Sequence, residues 1–328
     1  MKYLFSAVFF LVSLYTNAQI SRIKQVSLIL DTDIGPDYDD VGAIAIMHAL
    51  ADKGEVRPLA VIASNKNNLV APTIEILNNY FGRPELPIAA PKGDAPDMGA
   101  SQKWPEMLVE KYPHKIKSTD EVPDAVKTYR KVLAGQPDQS VTIVTIGFLT
   151  NLSRLIDSQP DEISILSGMD LVKRKVKEVV SMAGGFPKGR EFNIRIDSVA
   201  SENVFSKWPT QIIFSGFEIG NGIKTGLKVI ANETLVSPVK DVYAMAIPLS
   251  KGDQEGRMSW DQTAVLVAVR GAQHYFDLKR GKISIQGGNN GWIEDPMGPH
   301  AYLIPEMAFG DLAMVIELLM MHRGDSKR

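Results

Sequence analysis

Five aspartates crowd into ten positions of the sequence, in the stretch DTDIGPDYDD at residues 31–40. Carboxylates at this spacing repel one another and resist burial unless a positive group binds them. The apolar run SLIL precedes the stretch and VGAIAIMHAL follows it, which predicts a strand before the aspartates and a helix after them. Several oxygen ligands at such a strand–helix corner suit a hard divalent cation, Ca²⁺ or Mg²⁺.

The strand predicted at 26–30 places Asp31 and Asp33 just past its carboxyl end. Both carboxylates can face one point, because residues i and i+2 of an extended chain point the same way. Asp39 and Asp40 fall near the first turn of the following helix, where the helix dipole favours negative charge. The sequence therefore predicts that carboxylates converge from both sides of the turn.

Three other interpretations of the acidic stretch compete with a metal site. A solvated loop with helix-capping aspartates fits the composition about as well as a metal site. An EF-hand does not fit, because Pro36 stands where Gly is required and Gly42 where Glu is required. A phosphatase of the haloacid dehalogenase type also carries Asp-x-Asp after its first strand, but no clear downstream acidic pair follows, and Asp39–Asp40 would be surplus.

The elements that must position these residues alternate along the chain. Strand-like apolar runs at 58–64 and 141–147 are interleaved with helix-like stretches at 41–54 and 71–82. This alternation is typical of βαβ units and predicts an α/β fold with an open, mostly parallel central sheet covered by helices, a Rossmann-like core. No repeat or long linker divides the chain, so residues 19–328 are predicted to form a single domain.

Two segments carry weaker signals. Residues 92–120 are rich in Pro, Lys and Asp and are predicted to be irregular. Residues 277–305 are rich in Gly, Pro and Asn and are predicted to be loops. Loops at the carboxyl ends of strands often carry binding sites in open α/β folds.

The composition excludes several functions. The 328 residues carry a formal net charge of -2, so no basic surface is expected and nucleic acid is not an expected partner. The absence of cysteine removes disulfides, thiolate metal sites and cysteine nucleophiles.

The N-terminus is typical of a secretory signal peptide. Lys2 precedes an apolar run, and small or polar residues follow up to Ala18, so cleavage is predicted between Ala18 and Gln19. The run is shorter than the roughly 18 apolar residues that a membrane span needs. The mature protein is therefore expected to be exported, periplasmic or secreted, with no membrane association after cleavage.

The acidic stretch resembles the hallmark of the inosine–uridine-preferring nucleoside hydrolases, a strand followed by Asp-x-Asp-x-Gly-x-Asp-Asp, in a form with two more residues before the final pair. Four further stretches resemble that family in the same order: VIASN, VTIVTIGFLTNLSRL, KEVVSMAGGF with EFNIRID, and SWDQTAVLVAV. The resemblance covers residues 26 to about 270. It implies the family's α/β fold and hydrolysis of the N-glycosidic bond of nucleosides.

Carried over by position, the resemblance implies a Ca²⁺ held by Asp33, Asp40, the main-chain carbonyl of Ile146 and Asp261. Asp33 is also implied to be the catalytic general base for a water on the ion. Such a cation orients the water and lowers its pKa.

The resemblance also implies that Asp39 binds ribose hydroxyls and that Asn65, Glu191 and Asn193 complete the sugar pocket. Asp31 is implied to support the site from behind. The oxocarbenium-like sugar that forms during glycosidic cleavage favours surrounding acidic residues.

The sequence departs from the family pattern at several positions. Trp260 replaces a histidine that helps to protonate the leaving base; it can stack on a base or merely pack, but it cannot supply that proton. His300 is the better of the histidines that could contact the leaving group instead. The loop before Glu191 is short, so the 5′ side of the sugar is expected to be bound differently. Asp37, in the two-residue insertion, is predicted to be a solvated turn residue.

These observations predict an exported, Ca²⁺-dependent nucleoside hydrolase for purine or pyrimidine salvage, with a small-molecule nucleoside as its substrate. Family members commonly form dimers or tetramers, so a homo-oligomer is also expected. The alternatives are a periplasmic nucleoside- or sugar-binding protein that keeps the metal site without turnover, and the haloacid dehalogenase-type phosphatase.

Overall fold

The computed structural model describes residues 25–324. The predicted signal peptide and its cleavage site lie outside the described residues. In the described part of the chain, no helix combines the length and the apolar character that a membrane crossing requires.

Most strands of the described chain belong to one ten-stranded sheet with the order β3-β2-β1-β4-β5-β7-β12-β10-β11-β6. It is parallel from β3 to β12 and continues by antiparallel pairing to β6. A separate antiparallel pair joins β8 and β9. The strands are β1 Val26–Thr32, β2 Val56–Ala63, β3 Ile88–Ala89, β4 Val141–Thr145, β5 Val176–Met182, β6 Lys188–Gly189, β7 Gln211–Ser215, β8 Lys224–Thr225, β9 Arg257–Met258, β10 Phe276–Gln286, β11 Asn289–Glu294 and β12 His300–Pro305.

Helices cover both faces of the sheet, as the predicted open, mostly parallel α/β fold requires. They are α1 Asp39–Asp52, α2 Val70–Tyr80, α3 Trp104–Lys111, α4 Ala125–Ala134, α5 Thr150–Asp157, α6 Gly168–Lys175, α7 Phe192–Ile196, α8 Ser198–Lys207, α9 Phe217–Gly222, α10 Leu227–Ala231, α11 Pro238–Leu249, α12 Trp260–Arg270 and α13 Phe309–Met320, with a short 3-10 helix at Thr119–Glu121.

The central strand β1 separates two hydrophobic cores. Leu28 and Leu30 face the core formed with α1, α11, α12 and α13. Ile29 faces the opposite core, formed with α4, α5, α6 and α8. A strand buried on both faces reads as a continuous apolar run, because neither face meets water. The register pairs Asp31 with Thr145 of β4, so the carboxyl ends of β1 and β4 meet at one edge of the sheet.

Three sequence-based expectations about local structure were wrong. Residues 92–120 are not wholly irregular, since they contain α3 and the 3-10 helix. Residues 277–305 are not mainly loops, since they form most of β10 and all of β11 and β12. Buried and exposed residues partly alternate along β10. Asp31 lies within β1 rather than past its end.

The buried His48 of α1 gives stability a dependence on pH. Its Nε2 lies 3.0 Å from Asn78 Oδ1, and its ring stacks on Phe81. Burial and the nearby Arg83 lower the pKa of His48 to about 3. The unfolded chain therefore binds a proton below about pH 6.5 that the folded protein excludes, so this contribution to stability is lost as the pH falls from about 6.5 to 3.

We expect His48→Gln to remove this part of the pH dependence, because glutamine can still bond to Asn78 but does not titrate. The free energy of unfolding, measured by denaturant titration between pH 7 and 4, should fall less steeply in the variant, by up to about 1.4 kcal/mol per pH unit. Parallel curves for the two proteins would show that His48 is not responsible.

Candidate active site

A cavity of about 120 Å³ opens at the carboxyl edge of the sheet. It brings together residues from the turn after β1, the ends of β4 and β5, and the starts of α7, α9 and α12, although these lie far apart in the sequence. Its lining residues are Asp33, Asp37, Asp39, Asp40, Ile146, Met182, Glu191, Phe192, Asn193, Phe217, Trp260 and Asp261. Eight of the eleven site residues predicted from the sequence are among them; Asp31, Asn65 and His300 are not.

Three buried carboxylates form the closest acidic group in the cavity. Asp39, Asp40 and Asp261 each offer an oxygen atom within 4.8 Å of the others. The resemblance implies Asp33, Asp40 and Asp261 as ligands. Asp33 lines the same cavity but lies outside the group formed by Asp39, Asp40 and Asp261. The main chain of Ile146 reaches the cavity from β4 and can add a carbonyl oxygen.

The electrostatics of the cavity suit a bound cation. Burial, followed by the neighbouring carboxylates, raises the pKa of Asp33, Asp40 and Asp261 well above the usual range. Asp40 Oδ1 accepts a hydrogen bond from Thr32, but its buried Oδ2 has no partner in the described chain. A buried, partnerless carboxylate oxygen is costly. Carboxylate and carbonyl oxygens are the ligands that Ca²⁺ and Mg²⁺ take in proteins, so these residues fit a hard divalent cation.

A close contact with the backbone after β4 positions Asp33. A Cβ atom added to Gly147 would lie 2.5 Å from the Asp33 amide nitrogen and 2.7 Å from its Oδ1. Only glycine allows this approach, so Gly147 fixes how deeply the Asp33 side chain enters the cavity.

We expect Gly147→Ala to displace Asp33 and lower kcat/KM by about 100-fold, since misplacement by about 1 Å is enough for such a loss. The matched control is Gly310→Ala, where an added Cβ meets no atom within 4 Å. Steady-state kinetics with thermal unfolding of both variants provides the measurement. Unchanged kcat/KM in Gly147→Ala would show that this contact does not position the carboxylate.

Asp31 lies behind the cavity wall. Its Oδ2 accepts hydrogen bonds from the Tyr129 hydroxyl at 2.7 Å and the Asn151 amide at 3.1 Å, and its carbonyl accepts from Ile146 N at 2.8 Å. Burial raises the pKa of Asp31 to about 7, although these donors oppose the shift. Asp31 therefore connects β1 to the Ile146 segment, without lining the cavity.

Asn65 also lies outside the cavity lining. Its amide donates to the carbonyls of Asp33 and Met98 and accepts from the backbone of Asn67 and Met98. All four contacts are with the main chain, so the side chain holds the Asp33 turn and the Met98 loop together.

Glu191 and Asn193 reach the cavity from the start of α7. The Glu191 carboxylate accepts hydrogen bonds from the backbone N–H groups of Gly184, Asn193 and Ile194. The Asn193 amide donates to the Met182 carbonyl at 3.2 Å and lies 3.4 Å from the Ile146 carbonyl. The start of α7 and Gly184 therefore fix the Glu191 carboxylate, and the ends of β4 and β5 fix the Asn193 amide.

Arg257 is a residue that sequence reasoning missed. It lies in β9 with only 8% of its side chain exposed, and its guanidinium contacts Asp39 Oδ1 at 2.7 Å and Asp37 Oδ1 at 2.8 Å. Asp253 lies 3.6 Å away and accepts a hydrogen bond from the Tyr38 hydroxyl. Asp37, predicted to be a solvated turn residue, is half-exposed but ion-paired. The inserted residues thus tie the acidic turn to a buried arginine.

Aromatic side chains form the remaining wall of the cavity. The Trp260 ring stacks on Phe217 with centroids 5.2 Å apart, and its Nε1 donates to the Phe217 carbonyl at 2.8 Å. Arg257 lies over the Trp260 ring at 5.0 Å. With Phe192 these rings offer an apolar surface to a planar ligand.

His300 does not lie in a loop, as was expected, but begins β12. It is 2% exposed; its Nδ1 accepts from Ile283 N at 3.1 Å, and its ring packs edge-on against Phe214. Burial and the Lys282 charge lower the pKa of His300 to about 4. No histidine is among the residues that line the cavity.

The open, mostly parallel sheet, with carboxylates and aromatic rings at its carboxyl edge, places the protein in the class of α/β proteins that bind ligands there. The model of the inosine-uridine preferring nucleoside hydrolase family matches residues 28–298, and the chain belongs to this family. It is accordingly an N-ribosyl hydrolase, and the family prediction from the sequence is confirmed.

Solved structures support the same fold. A purine-preferring ribonucleoside hydrolase from Gardnerella vaginalis superposes with a TM-score of 0.69 at 16% identity, covering 90% of this chain and 98% of that chain. A plant nucleoside hydrolase superposes with a TM-score of 0.67 at 18% sequence identity, covering 90% of this chain and 99% of that chain. The inosine-uridine preferring nucleoside hydrolase from Bacillus anthracis superposes with a TM-score of 0.67 at 13% sequence identity, covering 90% of this chain and 99% of that chain. A comparison with curated protein sequences found no match.

Proposed function

We propose that this protein is a Ca²⁺-dependent hydrolase that cleaves the N-glycosidic bond of nucleosides to free base and ribose. The observation that carries the proposal is the convergence of Asp33, Asp39, Asp40 and Asp261 on one cavity in which the buried Asp40 Oδ2 lacks a partner. When bound, Ca²⁺ supplies a fixed positive charge that lowers the pKa of a water molecule and aligns vicinal hydroxyls.

Asp33 is proposed to act as the general base. Its raised pKa reflects burial and then the neighbouring carboxylates, and bound positive charge would offset both, leaving a carboxylate able to accept a proton from water. The contact with Gly147 supports this role, because it fixes the depth of the Asp33 side chain.

Asp39 is proposed to bind the ribose hydroxyls. Arg257 occupies its Oδ1 with two N–H donors, at 3.1 and 2.7 Å, which leaves Oδ2 for a sugar hydroxyl. Glu191 and Asn193, at the start of α7, are proposed to contact the sugar as well. The carboxylates of Asp39 and Glu191 favour the positive charge that develops on the sugar as the bond to the base breaks.

The leaving base is proposed to stack on Trp260 and its Phe217 neighbour. No residue of this aromatic wall is an acid near neutral pH, so the proton that the base takes up would come from water or from another group. We expect Trp260→Ala to raise KM for nucleosides more than Trp260→Phe does, because phenylalanine keeps a stacking surface. Steady-state kinetics of both variants tests this.

The proposal also includes export, on the strength of the N-terminal signal pattern alone. Cell fractionation followed by N-terminal sequencing tests it, and a mature chain that begins at Gln19 is the expected result.

A panel of purine and pyrimidine nucleosides tests the activity itself. We expect free base and reducing sugar in equal amounts. A binding protein without turnover would bind nucleosides, as measured by calorimetry, yet release no reducing sugar from any of them. Such a result would overturn the proposed function.

A further inference from the structure

A second cavity adjoins the first and shares one wall with it. It measures about 460 Å³, and Glu191, Phe192 and Phe217 line both cavities. The first cavity alone, at about 120 Å³, is smaller than the roughly 300–1,000 Å³ of typical small-molecule sites. A ligand larger than a pentose would therefore extend beyond it, and the second cavity is one adjoining space.

Three cationic side chains line the second cavity: Lys188, Arg190 and Arg195. Within residues 25–324, none of the three has a carboxylate oxygen within 4.0 Å, whereas Arg257, next to the first cavity, is paired with Asp37, Asp39 and Asp253. The Arg195 guanidinium lies 5.4 Å from the centre of the Phe192 ring, which holds it at the boundary between the two cavities.

The two acids of the second cavity do not neutralise these cations. The Glu191 carboxylate is held by three backbone N–H groups, and Glu218 accepts a hydrogen bond from Phe186 N at 3.1 Å. Within residues 25–324 neither carboxylate forms an ion pair with Lys188, Arg190 or Arg195, and burial raises the pKa of both carboxyls.

The backbone around the cations is fixed. Strand β6, which carries Lys188, pairs with β11, and the Asn290 amide bonds to both the N–H and the carbonyl of Gly185. The backbones of Gly185 and Gly189 approach so closely that a Cβ on Gly189 would lie 2.8 Å from Gly185 Cα. The short loop therefore holds Lys188 and Arg190 on a rigid backbone.

We propose that the second cavity binds an anionic group on the 5′ position of the sugar, so that the preferred substrates are nucleosides with a 5′-phosphate ester. This inference rests on the proposed function, in which Glu191 contacts the sugar. The 2′- and 3′-hydroxyls then bind to Asp39 and the cation, and C1′ carries the base. The 5′-hydroxyl is therefore the position that can carry the anionic group. Lysine and arginine are the side chains that bind phosphate oxygens.

The reaction on such a substrate leaves the phosphate ester intact. The bond between C1′ and the base nitrogen breaks, the oxygen of water bonds to C1′, and the proton of that water passes to Asp33. The base leaves with the bonding electron pair and takes up a proton, so the products are free base and the 5-phosphate of the sugar.

The test compares adenosine with adenosine 5′-monophosphate, and inosine with inosine 5′-monophosphate, on the full mature protein. We expect kcat/KM to favour the monophosphate by about 10- to 100-fold, as charge-assisted contacts allow. The double variant Arg190→Gln/Arg195→Gln should lose this preference, whereas Lys207→Gln, an exposed lysine at the end of α8, should retain it.

Two outcomes separate this inference from the proposed function. Hydrolysis of the nucleosides without any preference for the monophosphates would overturn the inference alone. If neither class is hydrolysed, the proposed function fails, and calorimetric binding then decides the inference: tighter binding of the monophosphate than of the nucleoside, lost in the double variant, supports it. Equal binding overturns it.

Discussion

Asp33→Asn is expected to abolish nucleoside hydrolysis while the protein stays folded. Asparagine matches the carboxylate in shape but cannot accept a proton from water, and loss of a general base lowers kcat by about 10²–10⁴-fold. Stability should not fall, because Asp33 is a buried carboxyl among other carboxylates and the substitution removes one of these charges.

Single-turnover measurement of base release, alongside thermal unfolding, tests this expectation. Asp277→Asn, an exposed aspartate in β10, is the matched control and should leave both quantities unchanged. If Asp33→Asn retains most of its kcat, another group accepts the proton, and the assignment of Asp33 fails.

Arg257→Met is expected to lower stability by about 3–5 kcal/mol, because it removes the cation from a buried ion pair and leaves carboxylates uncompensated. Methionine retains most of the apolar bulk, so the loss of charge dominates. KM for nucleosides should also rise, since Asp39 loses the partner that orients it. Arg257→Lys should recover part of the stability but not the two-donor contact with Asp39 Oδ1.

The control for this prediction is Arg270→Met, which breaks a partly exposed ion pair with Glu55. Exposed pairs contribute about 0–1 kcal/mol, so a much smaller effect is expected there. Denaturant titration of both variants gives the comparison. Equal losses of stability would show that the contacts of Arg257 with Asp37 and Asp39 do not carry the predicted weight.

The acidic turn could be predicted from the sequence because its determinants are local. The apolar strand, the paired aspartates and the buried helix α1 lie within 27 consecutive positions, from Val26 to Asp52. The late motif with Asp261 was found only through the family resemblance, because nothing near it in the sequence indicates that α12 packs beside α1.

Arg257 could not be predicted, because it lies 218 positions from Asp39 and its two-residue strand carries no pattern of its own. Asn65 was expected at the sugar, but its main-chain contacts to Met98 depend on how a distant loop folds back. His300 was misplaced because Gly, Pro and Asn suggest loops, whereas the partly alternating burial of β10 and its pairing with β12 depend on the tertiary structure.

The carboxylate cluster is proposed to act through a bound Ca²⁺. The most direct measurement is reducing-sugar release from a nucleoside by chelator-treated protein, with and without added Ca²⁺, for the wild type and for Asp261→Asn. We expect no release after chelation, full recovery with Ca²⁺, and recovery in Asp261→Asn only at higher Ca²⁺ concentration. Full activity of the wild type in excess chelator would contradict this proposal.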